Sequence, residues 1–158
     1  MDSIDHIGIA VNSLAEAIPA FSVILGRNPS DTQEVPSEHV RVVFFGDPPG
    51  RVELLEPMDE HSPVARHIAR RGPGVHHICF TTLELESALQ RAEAEGLEVI
   101  EPRIRTGADG KRIAFLHPRS TSGVLIELAE QDSRERTPPS FDPCRVARRT
   151  TGHPDLER

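Results

Sequence analysis

Two stretches of this chain repeat each other, and a duplicated module constrains the fold more than any single motif. Residues 5–11 read Asp-His-Ile-Gly-Ile-Ala-Val and residues 76–82 read His-His-Ile-Cys-Phe-Thr-Thr. Aligning His6 with His77 places Ile7 on Ile78 and Ile9 on Phe80. Farther on, Arg51-Val52-Glu53-Leu54-Leu55-Glu56 matches Leu125-Ile126-Glu127-Leu128-Ala129-Glu130. Glu53 follows His6 by 47 residues and Glu127 follows His77 by 50, so the same two motifs recur in the same order at nearly the same distance.

Between the motifs the halves also read alike. Asn12 or Ser13 can cap a helix carrying Leu14, Ile18, Phe21 and Leu25, closed by Gly26. Pro19 fits badly inside it and is expected to delay its start or kink it. In the second half Leu85, Ala88, Leu89 and Ala92 form the apolar stripe and Gly96 the stop. Strand-like runs follow each helix: Val40 to Phe45 and Arg51 to Leu55, joined by a turn at 46–50, then Leu97 to Ile100, Arg112 to Leu116 and Gly123 to Leu128. Each half therefore reads as strand, helix and about three strands. The fold class expected is α+β, with paired βαβββ modules forming a curved mixed sheet. The first module is set at 1–60, a linker helix capped by Ser62 and Pro63 at 61–73, the second module at 74–131, and a poorly packing, disordered tail at 132–158.

Strand parity turns the repeat into a site, because side chains alternate faces along a strand. His6, Gly8 and Ala10 share one face, and His77, Cys79 and Thr81 do the same. Glu53 and Glu127 oppose their apolar neighbours. The candidate residues thus point away from the bulky face that packs on helices, onto an open concave surface. His76 is set on the opposite face by the same parity. Two imidazoles and two carboxylates suit one divalent ion, such as Co, Ni, Zn, Mn, Mg or Fe(II), with two positions left for water or for two substrate oxygens.

Composition narrows the remainder. The net charge of −7 makes nucleic acid a poor partner. No apolar run is long enough to span a membrane, and the N-terminus carries no signal-peptide pattern, so a cytoplasmic location is expected. Cys79 and Cys144 make no disulfide framework, which agrees with a reducing compartment. Arg103-Ile104-Arg105 with Lys111-Arg112 is locally basic, and reads equally as a solvated loop or as an anion contact.

These residues resemble the vicinal-oxygen-chelate superfamily, which includes glyoxalase I and the extradiol dioxygenases, and most closely its methylmalonyl-CoA epimerases. Segments 4–11, 52–57, 59–65, 74–78, 115–118 and 123–128 carry the likeness, which covers roughly residues 4–130. The resemblance implies a metal at His6, Glu53, His77 and Glu127, an acyl-CoA thioester as substrate and a homodimer. It also implies that an α-proton is exchanged on both faces of a metal-stabilised enolate, and so two acid–base groups. Their counterparts are Glu38 and Glu127. The family pattern at the first is Glu, a polar residue and Gly, whereas this chain reads Pro36-Ser37-Glu38-His39-Val40. A one-residue deletion aligns Glu38 and keeps the next strand in register. An ungapped alignment gives Ser37 instead, which would mean altered chemistry. The loop at 106–111 is similar to one that lies against substrate in the family, and His117 forms part of the same wall. Alternatives are an ethylmalonyl-CoA or related acyl-CoA epimerase, a glyoxalase I-like lyase, a dioxygenase, or a metal-free binding protein. The absence of Tyr and Trp weighs against the dioxygenase.

Overall fold

A computed structural model describes residues 3–131, and the repeat in the sequence is a repeat of strand pairings within it. The first half runs β1 (Ile4–Ala10), α1 (Leu14–Leu25), β2 (Gln33–Val35), β3 (Val40–Phe45) and β4 (Arg51–Pro57). Helix α2 (Pro63–Arg71) links it to β5 (Gly74–Thr82), α3 (Leu85–Ala94), β6 (Arg105–Thr106), β7 (Arg112–Leu116) and β8 (Ile126–Glu130). All eight strands form one mixed sheet in the order β2-β3-β4-β1-β5-β8-β7-β6. Strand β1 pairs with β4 in parallel, as β5 does with β8, and the two halves meet where β1 and β5 run antiparallel. Exchanging the halves about that seam leaves the pairing scheme unchanged.

The helices cover the convex side by the stripes that their spacing sets out. Ile18, Phe21 and Leu25 of α1 pack with Leu14 on Val43, Phe45 and Leu54. Leu85 and Leu89 of α3 pack on Ala114 and Leu116. Ser13 accepts a hydrogen bond from the Glu16 N–H at the start of α1, and Gly26 closes the helix in the left-handed region at φ 64°. Pro19 neither delays nor ends α1. It lies on the exposed side, where water can satisfy the Ala15 carbonyl that a proline leaves without its donor.

The concave side differs from the open surface expected. It is filled by two apolar clusters, Ala10, Val40, Val42, Phe44, Leu55 and Val64 in the first half and Cys79, Ile113, Phe115 and Ala129 in the second. Val64 and Ile68 bring α2 over the first cluster, so the linker helix is also a lid on the cavity. Strand β2 was not legible as a run. The segment 97–100 makes only a bridge from Val99 to Leu116, and Pro102 just beyond it has no N–H with which to extend a ladder. The last strand begins at Ile126 because Ser122 and Gly123 both turn the chain at positive φ, 56° and 88°. The expected tail and Cys144 lie outside the described residues.

Candidate active site

Two rows of residues crossing the seam build the site. Glu53, Gly8 and His77 are register partners across β4, β1 and β5. His6, Cys79 and Glu127 are register partners across β1, β5 and β8. The two rows are equivalent under exchange of the halves, and each has a small residue in the middle. That residue lets the flanking side chains lean toward each other over it. A Cβ added to Gly8 would lie 2.3 Å from the His77 ring, far inside van der Waals contact. The Phe44 ring meets His6 edge-on at 5.5 Å, and Phe115 meets His77 at 6.1 Å, so each imidazole is braced by the aromatic of its own half.

His6, Glu53, His77 and Glu127 converge and are buried. The two histidine Nε2 atoms are 3.0 Å apart. Glu53 Oε2 lies 3.3 Å from His6 Nε2 and 3.4 Å from His77 Nε2, while Glu127 Oε2 lies 3.1 Å from His77 Nε2 and 4.0 Å from His6 Nε2. Glu53 Oε2 is fully buried without a hydrogen-bond partner.

The residues behind the histidines were not expected from parity. The register shifts between Ile4 and His6, and again between Gly8 and Ile9 where His77 is followed by Val75 on the facing strand. These irregularities fall on Asp5 and His76, the residues immediately before the two histidines. Each is turned inward, as a bulge re-aims a side chain. Asp5 Oδ1 lies 2.8 Å from His6 Nδ1, and His76 Nδ1 lies 3.1 Å from His77 Nδ1. The parity placement of His76 on the opposite face is therefore corrected: it lines the same cavity. The signal that was available is positional, since both residues precede the histidine of their repeat.

Those contacts assign the tautomers. With Nδ1–H given to Asp5 or to His76, both Nε2 atoms present lone pairs to each other and to two carboxylates. Such a set is repulsive unless something positive lies among it, a metal ion or, in the metal-free chain, a proton on His6 Nε2. Burial opposes charge on His6, yet Asp5, Cys79 and Glu53 push its pKa up to about 12. Burial likewise disfavours the Glu53 carboxylate, but His6 and His77 bring it down to about 2. Glu127 is pushed up by burial despite the two histidines. His76 is pushed down to about 3 by burial and by His77, and so stays neutral as an acceptor. An orphaned carboxylate oxygen and opposed lone pairs fit a divalent cation, and His6, His77 and Glu127 have donor atoms within 4.8 Å of one another.

Asp5 is itself held. Arg51 donates to its Oδ1 at 2.8 Å and Lys111 reaches its Oδ2 at 3.4 Å. Arg51 also stacks over the Phe44 ring, 3.9 Å from its centroid.

Glu38 lines the cavity with the four converging residues, whereas Ser37 is exposed and donates outward to the Thr106 carbonyl. A single 3-10 turn, Pro36–Glu38, delivers it, and His39 follows in the left-handed region at φ 53°. His39 thus adopts there the backbone conformation that glycine most readily supplies. Glu38 Oε1 accepts from Arg105 Nη1 at 3.0 Å. Gly107, Ala108 and Lys111 of the 106–111 loop face the same cavity. His117 does not; it caps the turn at Pro118–Ser120 through Arg119 N.

A family model for the Glyoxalase/Bleomycin resistance protein/Dioxygenase superfamily matches residues 5–115. The chain belongs to that superfamily. Within this superfamily it is 35% identical over 131 residues to the ethylmalonyl-CoA/methylmalonyl-CoA epimerase of Cereibacter sphaeroides, covering 80% of this chain and 96% of the relative. It is 39% identical over 130 residues to the uncharacterized protein YqjC of Bacillus subtilis, covering 82% and 93%. A variant of Streptomyces coelicolor methylmalonyl-CoA epimerase in complex with 2-nitronate-propionyl-CoA superimposes with a TM-score of 0.77 at 33% identity, covering 83% of this chain and 95% of that one. The superfamily's paired-module sheet is thus present here with the methylmalonyl-CoA epimerases as solved relatives.

Proposed function

We propose that this chain epimerises methylmalonyl-CoA at the carbon between its thioester and its carboxylate, with a divalent cation held by His6, Glu53, His77 and Glu127. The observation that carries the reading is the sharing of one cavity by that cation-demanding cluster and by Glu38, a carboxylate from a different strand connection. The names of the epimerase relatives supply the substrate.

The cation would supply a Lewis acid for the oxyanion that forms when an α-proton leaves a thioester. The remaining work falls to side chains. Glu38 and Glu127 are the two groups that take and return the proton, one at each face of the planar carbon. Asp5 and His76 hold the imidazoles in the tautomer that offers Nε2. Val35, Val42 and Leu55 make an apolar wall that keeps water from the exchanging carbon and has room for an alkyl substituent. An ethylmalonyl-CoA substrate is the second reading, favoured by the double name of the Cereibacter sphaeroides relative.

The test follows deuterium uptake from deuterated water into each separate epimer of methylmalonyl-CoA and ethylmalonyl-CoA, with the metal content of the same preparation measured. Uptake together with interconversion is expected; neither acyl-CoA exchanging would end the reading. A homodimer in a reducing compartment belongs to the same proposal. The free, buried Cys79 suits the compartment, and the outer face of the seam, where Ile4 and Ile7 are 43% and 38% exposed, suits a second copy. Sedimentation measures the latter.

A further inference from the structure

Beside the cavity a groove runs between α2 and the ends of β5 and β8, and it shares Pro63 and His76 with the cavity wall. One side carries Arg66, Arg70 and Arg71, all exposed. The other is apolar, built from Val75, Pro118, Val124 and Leu125, with Val75 62% and Val124 38% exposed. Among the described residues no acidic side chain lines it.

That is unusual in a chain with a net charge of −7. The basic residues read from the sequence as an anion contact are all committed elsewhere. Arg103 pairs with Glu93, Arg105 with Glu38, Lys111 with Asp5, and Arg112 with Glu86 and Glu130. The neighbouring depression around Arg51 and Arg112 also holds Asp109 and Glu130, and the one around Gln33 and Ser37 holds Glu34 and Asp109 without a cation. Of these depressions, the α2 groove is the one that presents arginines with no acidic partner among the described residues. Arg66 gives one hydrogen bond to the His61 carbonyl, which leaves its charge intact.

Helix electrostatics account for part of this. Arg70 and Arg71 lie in the last turn of α2, where cations are favoured. Arg66 is four residues earlier on the same face, and like charges at that spacing repel. A helix that keeps both gains nothing from the pair unless an anion lies across it.

We propose that this groove seats the tail of the acyl-CoA, with its phosphates on Arg66, Arg70 and Arg71 and its neutral pantetheine arm along Val75, Val124 and Leu125. The inference rests on the acyl-CoA reading of the cavity. The acyl end enters past Pro63 and His76, the residues common to both depressions. Multiple negative charges then meet three guanidiniums, and the arm covers apolar surface otherwise left in water.

The test compares methylmalonyl-CoA with the methylmalonyl thioester of pantetheine, which lacks the phosphates. In Arg70→Glu/Arg71→Glu the ratio of the CoA KM to the pantetheine KM should rise by about tenfold or more, the worth of two lost charge contacts. Arg70→Gln/Arg71→Gln should shift it in the same direction by less, and covers the case in which charge reversal unfolds α2. Arg27→Glu/Arg91→Glu, with the same change in net charge at exposed sites away from the groove, should leave the ratio unchanged. An unaltered ratio in both groove variants, or an equal rise in both KM values, would overturn the groove assignment. If the unmodified chain turns over neither thioester, the epimerase reading fails separately. The groove is then judged by calorimetric binding of CoA itself with inorganic pyrophosphate as competitor. Weaker CoA binding in the groove variants upholds it and equal binding overturns it.

Discussion

Glu38 meets the cavity as one half of an ion pair, with its Oε1 3.0 Å from Nη1 of Arg105. Arg105 is anchored in turn by the Ile100 and Pro102 carbonyls and lies over the Phe115 ring, 5.3 Å from its centroid. The guanidinium thus ties the proposed base of the first half to the aromatic that braces the histidine of the second. Glu38→Gln, which keeps size and removes the base, should lower turnover by roughly 10²–10⁴-fold while metal content is unchanged. It should retain deuterium exchange on one epimer longer than interconversion of the two. Arg105→Ala should cost less, roughly 10- to 100-fold in kcat through misplacement of Glu38, with partial recovery in Arg105→Lys. Wild-type interconversion by Glu38→Gln would remove Glu38 from the mechanism.

Metal analysis of the purified chain should find about one divalent ion per chain. His77→Ala should abolish tight binding. Parity alone would leave His76→Ala nearly silent, but its 3.1 Å contact with His77 Nδ1 changes that expectation. Loss of a group that orients a ligand imidazole should weaken binding by roughly 10- to 100-fold. Competition with a chromophoric chelator measures it, and an unchanged affinity would reduce the His76 contact to coincidence.

Gly8→Ala places a methyl group where the His77 ring stands. The ring is wedged among Gly8, Phe115 and the opposing imidazole, so it has nowhere to swing. A stability loss of about 1–3 kcal/mol is expected from overpacking, together with weakened metal binding. Thermal melts with and without chelator separate the two effects; a variant that melts and binds as the native chain does would show that the ring can move aside.

Asp5 offers a pH test. Burial disfavours its carboxylate, yet His6 and Arg51 hold its pKa below the ordinary 3.8. A carboxyl with a depressed folded value stabilises the fold above its unfolded value, and the contribution is lost as pH falls through the folded one. In metal-free protein, Asp5→Asn should therefore lower the urea midpoint at neutral pH, and the gap from the native chain should narrow steadily below about pH 4. A gap of constant size across that range would mean that Asp5 acts by shape rather than by charge.

The four converging residues were legible because a repeat and a period of two are both properties of sequence. His6, Glu53, His77 and Glu127 each satisfy both. Asp5 and His76 were missed since a register shift breaks the period at those places, and only their position before the histidine of each repeat marks them. The enclosure of the concave face was missed for a related reason. Ala10, Val42 and Leu55 are read one strand at a time, while their burial depends on curvature of the whole sheet and on α2 lying over it. Nothing in the sequence sets the α2 arginines apart from other basic residues. Their meaning rests on which basic residues elsewhere already have acidic partners, and that is decided only in three dimensions.

The exchange symmetry about the β1–β5 seam bears on how the cluster can assemble. A single βαβββ unit carries one histidine, one glutamate and one bracing phenylalanine, and it supplies only part of each row that crosses the seam. Such a unit could assemble the cluster only by meeting a second copy, at a rate set by its concentration. Two units joined through α2 assemble it whatever the dilution. In one chain the two positions behind the histidines need not match, and they hold an anion, Asp5, on one side and a neutral ring, His76, on the other.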